Sequence, residues 1–109
     1  FIASEQRVYH PIYSYAGTLD LVCELPRTNL RGPGVLDVKR SFMGGATIGY
    51  QTAAYQHAYE ASGGVRINWR GALRLREDSA YRLATYSDKA DFSKFLTCLA
   101  YARLKESCK

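Results

Sequence analysis

Three short runs in the N-terminal part of the chain predict strands, because they alternate hydrophobic and polar positions or are rich in β-branched and aromatic residues. The runs cover 6–15, 18–25 and 35–39. Pro11 interrupts the first run, and because proline cannot donate to a strand ladder, we expect an edge strand or a bulge there. Residues 26–34 contain proline, asparagine and two glycines, a composition typical of a turn.

The middle of the chain predicts a loop, a helix and two further strands. Residues 41–49 are small and glycine-rich, which favours a loop. Good helix formers follow over 48–62, and the glycines at 63–64 are a stop signal. Strand-like runs then cover 69–76 and 81–86.

A hairpin turn at 77–79 is expected between these two strands, and a final helix follows them. Ser87 or Asp88 can cap this helix, which we expect to reach about Lys105. Its apolar residues recur at helical spacing: Phe92, Phe95, Leu96, Leu99 and Leu104. The order β-β-β-α-β-β-α predicts an α/β fold with a central mixed sheet flanked by helices.

Composition narrows the class of protein. The chain has 109 residues, enough for one domain, and 47% of them are hydrophobic, which argues against disorder. Its net charge of +5 permits a polyanionic partner without requiring one. No apolar run is long enough for a membrane span. The three cysteines include no C-x-x-C pair, so we expect plain thiols in a reducing, cytoplasmic setting.

Two charged residues stand in the short third strand, where at least one face should be buried. Asp37 and Lys39 are two positions apart, so alternation sends both to one face and the apolar Leu36 and Val38 to the other. The two charges can share a site, or they can form an ordinary ion pair at a solvated sheet edge.

A second carboxylate, Asp20, stands inside the apolar second strand between Leu19 and Leu21. A turn separates this strand from the third, so antiparallel pairing of the two can bring Asp20 close to Asp37. Adjacent carboxylates repel unless a cation lies between them, and oxygen ligands favour Mg²⁺ or Mn²⁺. A lysine beside such a metal can orient or deprotonate water and stabilise charge on a phosphate.

A third polar group lies on the predicted helix after the third strand. Gln51, Tyr55 and Tyr59 are spaced by four residues and form one stripe. The stripe offers an amide and two phenols to a ligand. Equally, its aromatic rings can simply cover the sheet.

Together these segments resemble the motifs of the PD-(D/E)XK nuclease superfamily, and within it the RecB-like and phage-type exonucleases. The matching segments are G-T-L-D at 17–20, D-V-K at 37–39 and Q-T-A-A-Y at 51–55. The family pattern is G-x-x-D, then D/E-x-K, then Q-x-x-x-Y on the next helix. The resemblance spans residues 5–60 of the 109, and it implies a restriction-endonuclease-like core.

The resemblance also implies roles for individual residues. Its metal ligands are Asp20, Asp37 and the Val38 carbonyl. Lys39 acts on the attacking water, while Gln51 and Tyr55 lie beside the site and contact DNA or support the ligands. Related nucleases often carry an acidic residue before the first strand that joins the metal, and Glu5 is the candidate here, although a terminal glutamate is usually only solvated.

The match has two departures. Arg40 follows the lysine where many relatives have threonine or serine, and Ser41 comes second. Relatives also carry helical sequence at the N-terminus, so we expect 1–109 to be a single nuclease domain that lacks this part.

Basic residues are candidates for contacts to a nucleic-acid backbone. Four arginines surround Trp69 near the fourth strand: Arg66, Arg70, Arg74 and Arg76. Such a stripe can follow phosphates, or it can be a solvated sheet face. His10 and His57 are expected to be core or solvated residues rather than ligands.

The sequence therefore predicts a Mg²⁺- or Mn²⁺-dependent nuclease that hydrolyses DNA phosphodiesters and binds DNA mainly through its backbone. An exonuclease of phage recombination or repair is favoured, because the Q-x-x-x-Y helix is typical of that subtype. The alternatives are an endonuclease on the same fold, a non-catalytic nucleic-acid-binding module and a purely structural domain. No membrane partner is expected, and a homo-oligomer is left open.

Overall fold

The computed structural model describes residues 2–39, 46–75 and 81–107. Its elements follow the predicted order. They are β1 (Ala3–His10), β2 (Tyr15–Cys23), β3 (Gly34–Lys39), α1 (Ala46–Ala61), β4 (Trp69–Leu75), β5 (Tyr81–Thr85) and α2 (Asp91–Ser107).

The five strands form one mixed sheet in the order β1-β2-β3-β4-β5. β3 and β4 run parallel, and α1 lies on the connection between them; every other neighbouring pair is antiparallel. This confirms the predicted α/β fold with a mixed sheet. No helix of the described residues is long and apolar enough to cross a membrane.

Several boundaries differ from the predicted ones. β1 ends at His10, so Pro11 lies in the turn after it rather than within a strand, and β1 is an edge strand as expected. The first helix begins at Ala46, two residues before the predicted start. The second begins at Asp91, because Asp88 first makes a turn in which its carboxylate accepts the Ala90 N–H at 2.9 Å. The expected hairpin turn at 77–79 lies outside the described residues.

Both helices pack on one face of the sheet. Leu19, Val22 and Val35 from the strands form a buried cluster with residues of α1. From α2, Phe92, Phe95 and Leu99 pack against the same cluster. Leu104, which shares their helical spacing, is exposed, so only the first half of α2 contributes apolar residues to the core.

The other face of the sheet carries a smaller apolar cluster around Leu36 and Trp69. Leu25 and Leu30, from the segment between β2 and β3, pack against it. The Trp69 ring lies so close to Gly34 that a side chain there would overlap it, and its indole N–H donates to the Gly32 carbonyl at 2.9 Å. Trp69 therefore fixes the start of β3 against β4, which positions the charged residues at the end of β3.

Candidate functional site

The pairing of β2 with β3 stops at Asp20. The two strands pair only from Leu21 to Cys23 on β2, opposite Leu36 to Gly34. Beyond that point the Asp20 carboxylate accepts the Val38 backbone N–H at 2.9 Å. A side chain thus replaces a backbone acceptor, and continuing the register by one pair sets Asp20 opposite Asp37.

Asp37 is buried, and it lies on the helix-covered face because Val35, two residues earlier, is part of the core there. The Lys39 Nζ lies 3.3 Å from the Asp37 Oδ2. Asp37 and Lys39 therefore share a face, as their spacing predicts. With Asp20 they make up what we call the acid–lysine cluster.

The pKa of Asp37 is raised to about 6. Burial is the main cause, since it disfavours the charged form. A hydrogen bond between the Asp37 and Asp20 carboxyl groups and their mutual repulsion raise it further, while the Lys39 ammonium lowers it. The two carboxylates are thus close enough to compete for one proton.

One buried oxygen of the cluster meets a positive charge without a well-aligned hydrogen bond. Asp37 Oδ2 is buried without a hydrogen bond, even though the Lys39 ammonium lies 3.3 Å away. A buried acceptor of this kind is costly unless something else satisfies it. The donor set fits a hydrated Mg²⁺ or Mn²⁺, because Mg²⁺ usually keeps several waters and takes one or two protein carboxylates.

Glu5 and Val38 are the other two members of the predicted ligand set. Glu5 falls opposite Asp20 in the β1–β2 register, but the pairing is interrupted there and its φ is 48°. Among the described residues, no three His, Cys, Asp or Glu side chains lie close enough to hold a metal ion. The ligand roles of Glu5 and of the Val38 carbonyl stay predictions.

Gln51 and Tyr55 form a second polar group. The Gln51 Nε2 donates to the Tyr55 hydroxyl at 2.9 Å. The Tyr55 ring rests on Gly17, where an added Cβ would lie 2.9 Å from its Cε1. The glycine of G-T-L-D and the tyrosine of Q-T-A-A-Y are therefore in contact. Tyr59 is buried in the core, so covering the sheet is its role.

A cavity of about 450 Å³ opens beside this pair. It is lined by residues of β2, α1 and α2: Tyr15, Ala16, Gly17, Thr47, Tyr50, Gln51, Ala54, Tyr55, Phe95 and Cys98. We call it the Gln–Tyr cavity. Gly17 precedes Asp20 by three residues, roughly 10 Å along a strand, so the cavity and the acid–lysine cluster are neighbours on β2.

The proposed arginine stripe is wrong for Arg70. This side chain is buried and pairs with Asp91 at 3.0 Å, and its guanidinium also donates to the Gly49 carbonyl at 2.7 Å. Alternation places it on the helix face with Ala72, a signal that the sequence contained. Arg66 is exposed before β4, Arg74 pairs in register with Lys39, and Arg76 lies outside the described residues.

The histidines belong to the aromatic packing around α2, as expected for core residues. The His57 ring stacks on Phe92 with 3.7 Å between centroids, and burial lowers its pKa. His10 is buried and stacks on Tyr15 at 5.4 Å.

The structure thus forms two polar groups, the acid–lysine cluster and the Gln51–Tyr55 pair. No protein-family model matches the chain, and no curated protein matches it at a significant level. Conclusions about function therefore depend on the chemistry of these two groups.

Proposed function

We propose that the chain is a Mg²⁺- or Mn²⁺-dependent nuclease with a restriction-endonuclease-like core, which hydrolyses DNA phosphodiesters. The observation that carries the proposal is the convergence of Asp37, a second carboxylate and Lys39, in which the buried Asp37 oxygen meets the ammonium at 3.3 Å without a well-aligned hydrogen bond. Burying Asp37 beside a second carboxylate costs the fold stability, and a bound cation would offset that cost.

Asp20 and Asp37 would hold the cation, with the Val38 carbonyl as a further ligand. When bound, the metal supplies an activated water and neutralises charge on the phosphate. Lys39 is half-exposed at the end of β3, so its ammonium can reach both Asp37 and a solvent-side phosphate oxygen. Its role is to orient the attacking water and to stabilise the charge that develops on the phosphate.

The raised pKa of Asp37 sets a lower pH limit for this chemistry. Below about pH 6, a proton occupies the carboxyl and competes with the cation. Activity is therefore expected to fall as the pH drops below 6, and a higher Mg²⁺ concentration should shift the fall to lower pH.

The favoured subtype is an exonuclease of phage recombination or repair that binds DNA mainly through its backbone. It is tested with end-labelled linear DNA and closed circular DNA in Mg²⁺, Mn²⁺ and EDTA. We expect loss of label from linear DNA with either metal, and intact DNA in EDTA. Cutting of the circle would identify an endonuclease on the same fold. Binding without cleavage in every metal would overturn the proposal and leave a non-catalytic module.

A further inference from the structure

The Gln–Tyr cavity differs chemically from the acid–lysine cluster beside it. None of its ten lining residues carries a charge, and four of them are aromatic: Tyr15, Tyr50, Tyr55 and Phe95. A phosphate would find no countercharge there. A flat, uncharged ring could stack on these aromatic side chains. An unpaired nucleobase is such a ring, because its faces are free to stack on aromatic side chains.

Polar groups at one end of the cavity can recognise the edge of such a ring. The Gln51 Nε2 uses one hydrogen on the Tyr55 hydroxyl. An amide has a second N–H and a carbonyl oxygen, and the phenol still has its own hydrogen to donate. A nucleobase edge offers both donors and acceptors, so it is complementary to this pair.

The Gln–Tyr cavity lies close to the acid–lysine cluster along β2. Gly17 lines the cavity and Asp20 lies three residues further along β2, roughly 10 Å away. A nucleotide chain with its phosphate at the acids therefore has a neighbouring base within reach of the cavity. Its volume of about 450 Å³ lies within the range of small-molecule sites and exceeds the needs of one base.

We infer that the Gln–Tyr cavity binds one unpaired nucleobase of the strand whose phosphate lies at the acid–lysine cluster. The inference rests on the proposed function and deepens it, because it makes the substrate a nucleic acid with an unpaired base at the site. Tyr50 is the residue to change, since it lines the cavity, is half-buried and can be replaced without removing either partner of the Gln51–Tyr55 hydrogen bond.

The test measures binding in EDTA, where no hydrolysis occurs. The probes are a short oligothymidylate and a matched strand of abasic residues. We expect the parent to bind the oligothymidylate more tightly, and Tyr50→Ala to weaken that binding about 10-fold. Tyr50→Phe should bind like the parent. Tyr101→Ala, a change at an exposed tyrosine of α2 that does not line the cavity, is the control.

Cys98 gives a second readout that needs no variant. It is exposed and lines the cavity, so its alkylation by N-ethylmaleimide, followed by peptide mass spectrometry, reports whether the cavity is filled. We expect oligothymidylate to slow the reaction and the abasic strand to leave it unchanged. Equal protection by both strands, or parental binding by Tyr50→Ala, would overturn the inference.

The outcomes separate the two proposals. Base-dependent binding and Cys98 protection without cleavage in Mg²⁺ or Mn²⁺ would overturn the nuclease and keep the base site. Cleavage in Mg²⁺ without base dependence would overturn the base site and keep the nuclease. If neither strand nor duplex DNA binds at all, both proposals fail.

Discussion

Two ion pairs lie on the helix-covered face of the same sheet, and they are built in opposite ways. Arg70 and Asp91 are both 8% exposed and lie 3.0 Å apart, and the guanidinium also donates to the carbonyls of Gly49 and Asp88. Asp37 and Lys39 lie 3.3 Å apart, but the lysine is 34% exposed and the Asp37 oxygen that faces it lacks a hydrogen bond.

The difference teaches which charge serves the fold and which is available for chemistry. The buried Arg70–Asp91 pair, with further hydrogen bonds from the guanidinium to two backbone carbonyls, connects β4 to α1 and to the start of α2, which is a structural task. A buried acid that faces another acid and has its pKa raised is expensive for the fold. Such an arrangement supports the proposal that a bound cation supplies the missing partner.

The largest effect is expected at the satisfied pair. Asp91→Ala leaves the Arg70 guanidinium buried without its carboxylate, and it should lower the free energy of unfolding by about 3 to 5 kcal/mol. Urea unfolding followed by circular dichroism measures this. Asp88→Ala is the matched control at an exposed acid of the same region, and the loss of its hydrogen bond from the Ala90 N–H should lower stability far less.

A double change sharpens the same point. Arg70→Met combined with Asp91→Leu replaces the pair with apolar side chains and should recover most of the stability lost by Asp91→Ala. If Asp91→Ala costs no more than Asp88→Ala, the Arg70–Asp91 pair is not structural and the contrast between the two ion pairs disappears.

The next effect is expected at Asp37, where a substitution should lower activity without lowering stability. Asp37→Asn is nearly isosteric and removes both the buried charge and the repulsion from Asp20. We expect the variant to have an unchanged or higher melting temperature, which Mg²⁺ no longer raises. Its turnover of DNA should be about 1,000-fold lower than that of the parent. Calorimetry with and without Mg²⁺ and a rate assay measure the three quantities. Parental turnover by this variant would remove Asp37 from the chemistry.

A substitution of Lys39 should also lower activity more than stability, but the loss of activity should be smaller than at Asp37. As a half-exposed partner of Asp37, it should contribute at most about 1 kcal/mol to stability. If it orients water and stabilises phosphate charge, Lys39→Ala should lower the rate about 100-fold at saturating Mg²⁺ and DNA, with binding weakened far less. Lys39→Arg should restore only part of the rate, because the planar guanidinium group differs in shape from the compact ammonium. Near-parental turnover by Lys39→Ala would make Lys39 a structural charge.

The pH dependence of stability gives a metal-free test of Asp37. Its folded pKa of about 6 lies above the ordinary 3.8, so the folded state binds more protons between these values. The free energy of unfolding should therefore fall by about 2 kcal/mol as the pH rises from about 4 to about 6, and then stay low. The fall should be absent in Asp37→Asn. An identical profile for the parent and the variant would show that Asp37 is not strained.

The sequence predicted well where one chemical rule decides the outcome. The alternation of a strand places Asp37 and Lys39 on one face, and the structure has them 3.3 Å apart. The turn-rich segment between β2 and β3 predicts an antiparallel pair, which brings Asp20 beside Asp37. The helix and strand order follows in the same way from periodicity and from glycine and proline signals.

It predicted poorly where a residue's partner lies on another element. The local sequence does not distinguish Arg70 from an exposed strand arginine, because its ion-pair partner Asp91 lies in α2. The Val38 N–H bond to the Asp20 carboxylate depends on where the β2–β3 pairing stops. The contact between Gly17 and the Tyr55 ring depends on how α1 crosses the sheet. None of these distances is encoded in local spacing.

The smallest effect is expected at the Gln51–Tyr55 pair. Its size shows whether this hydrogen bond serves the fold, as the Arg70–Asp91 pair does, or belongs to the site, as we propose for Asp37 and Lys39. Tyr55→Phe keeps the ring on Gly17 and removes one half-buried hydrogen bond, so it should lower the free energy of unfolding by about 1 kcal/mol. Gln51→Ala should cost about as much, and a double-mutant cycle should return a coupling of about 0.5 to 1 kcal/mol. If the pair contacts the substrate, DNA affinity or turnover in both single variants should fall further than this loss of stability explains. If affinity and turnover are unchanged once folding is corrected for, the pair is structural like Arg70–Asp91, and only the acid–lysine cluster remains as a site.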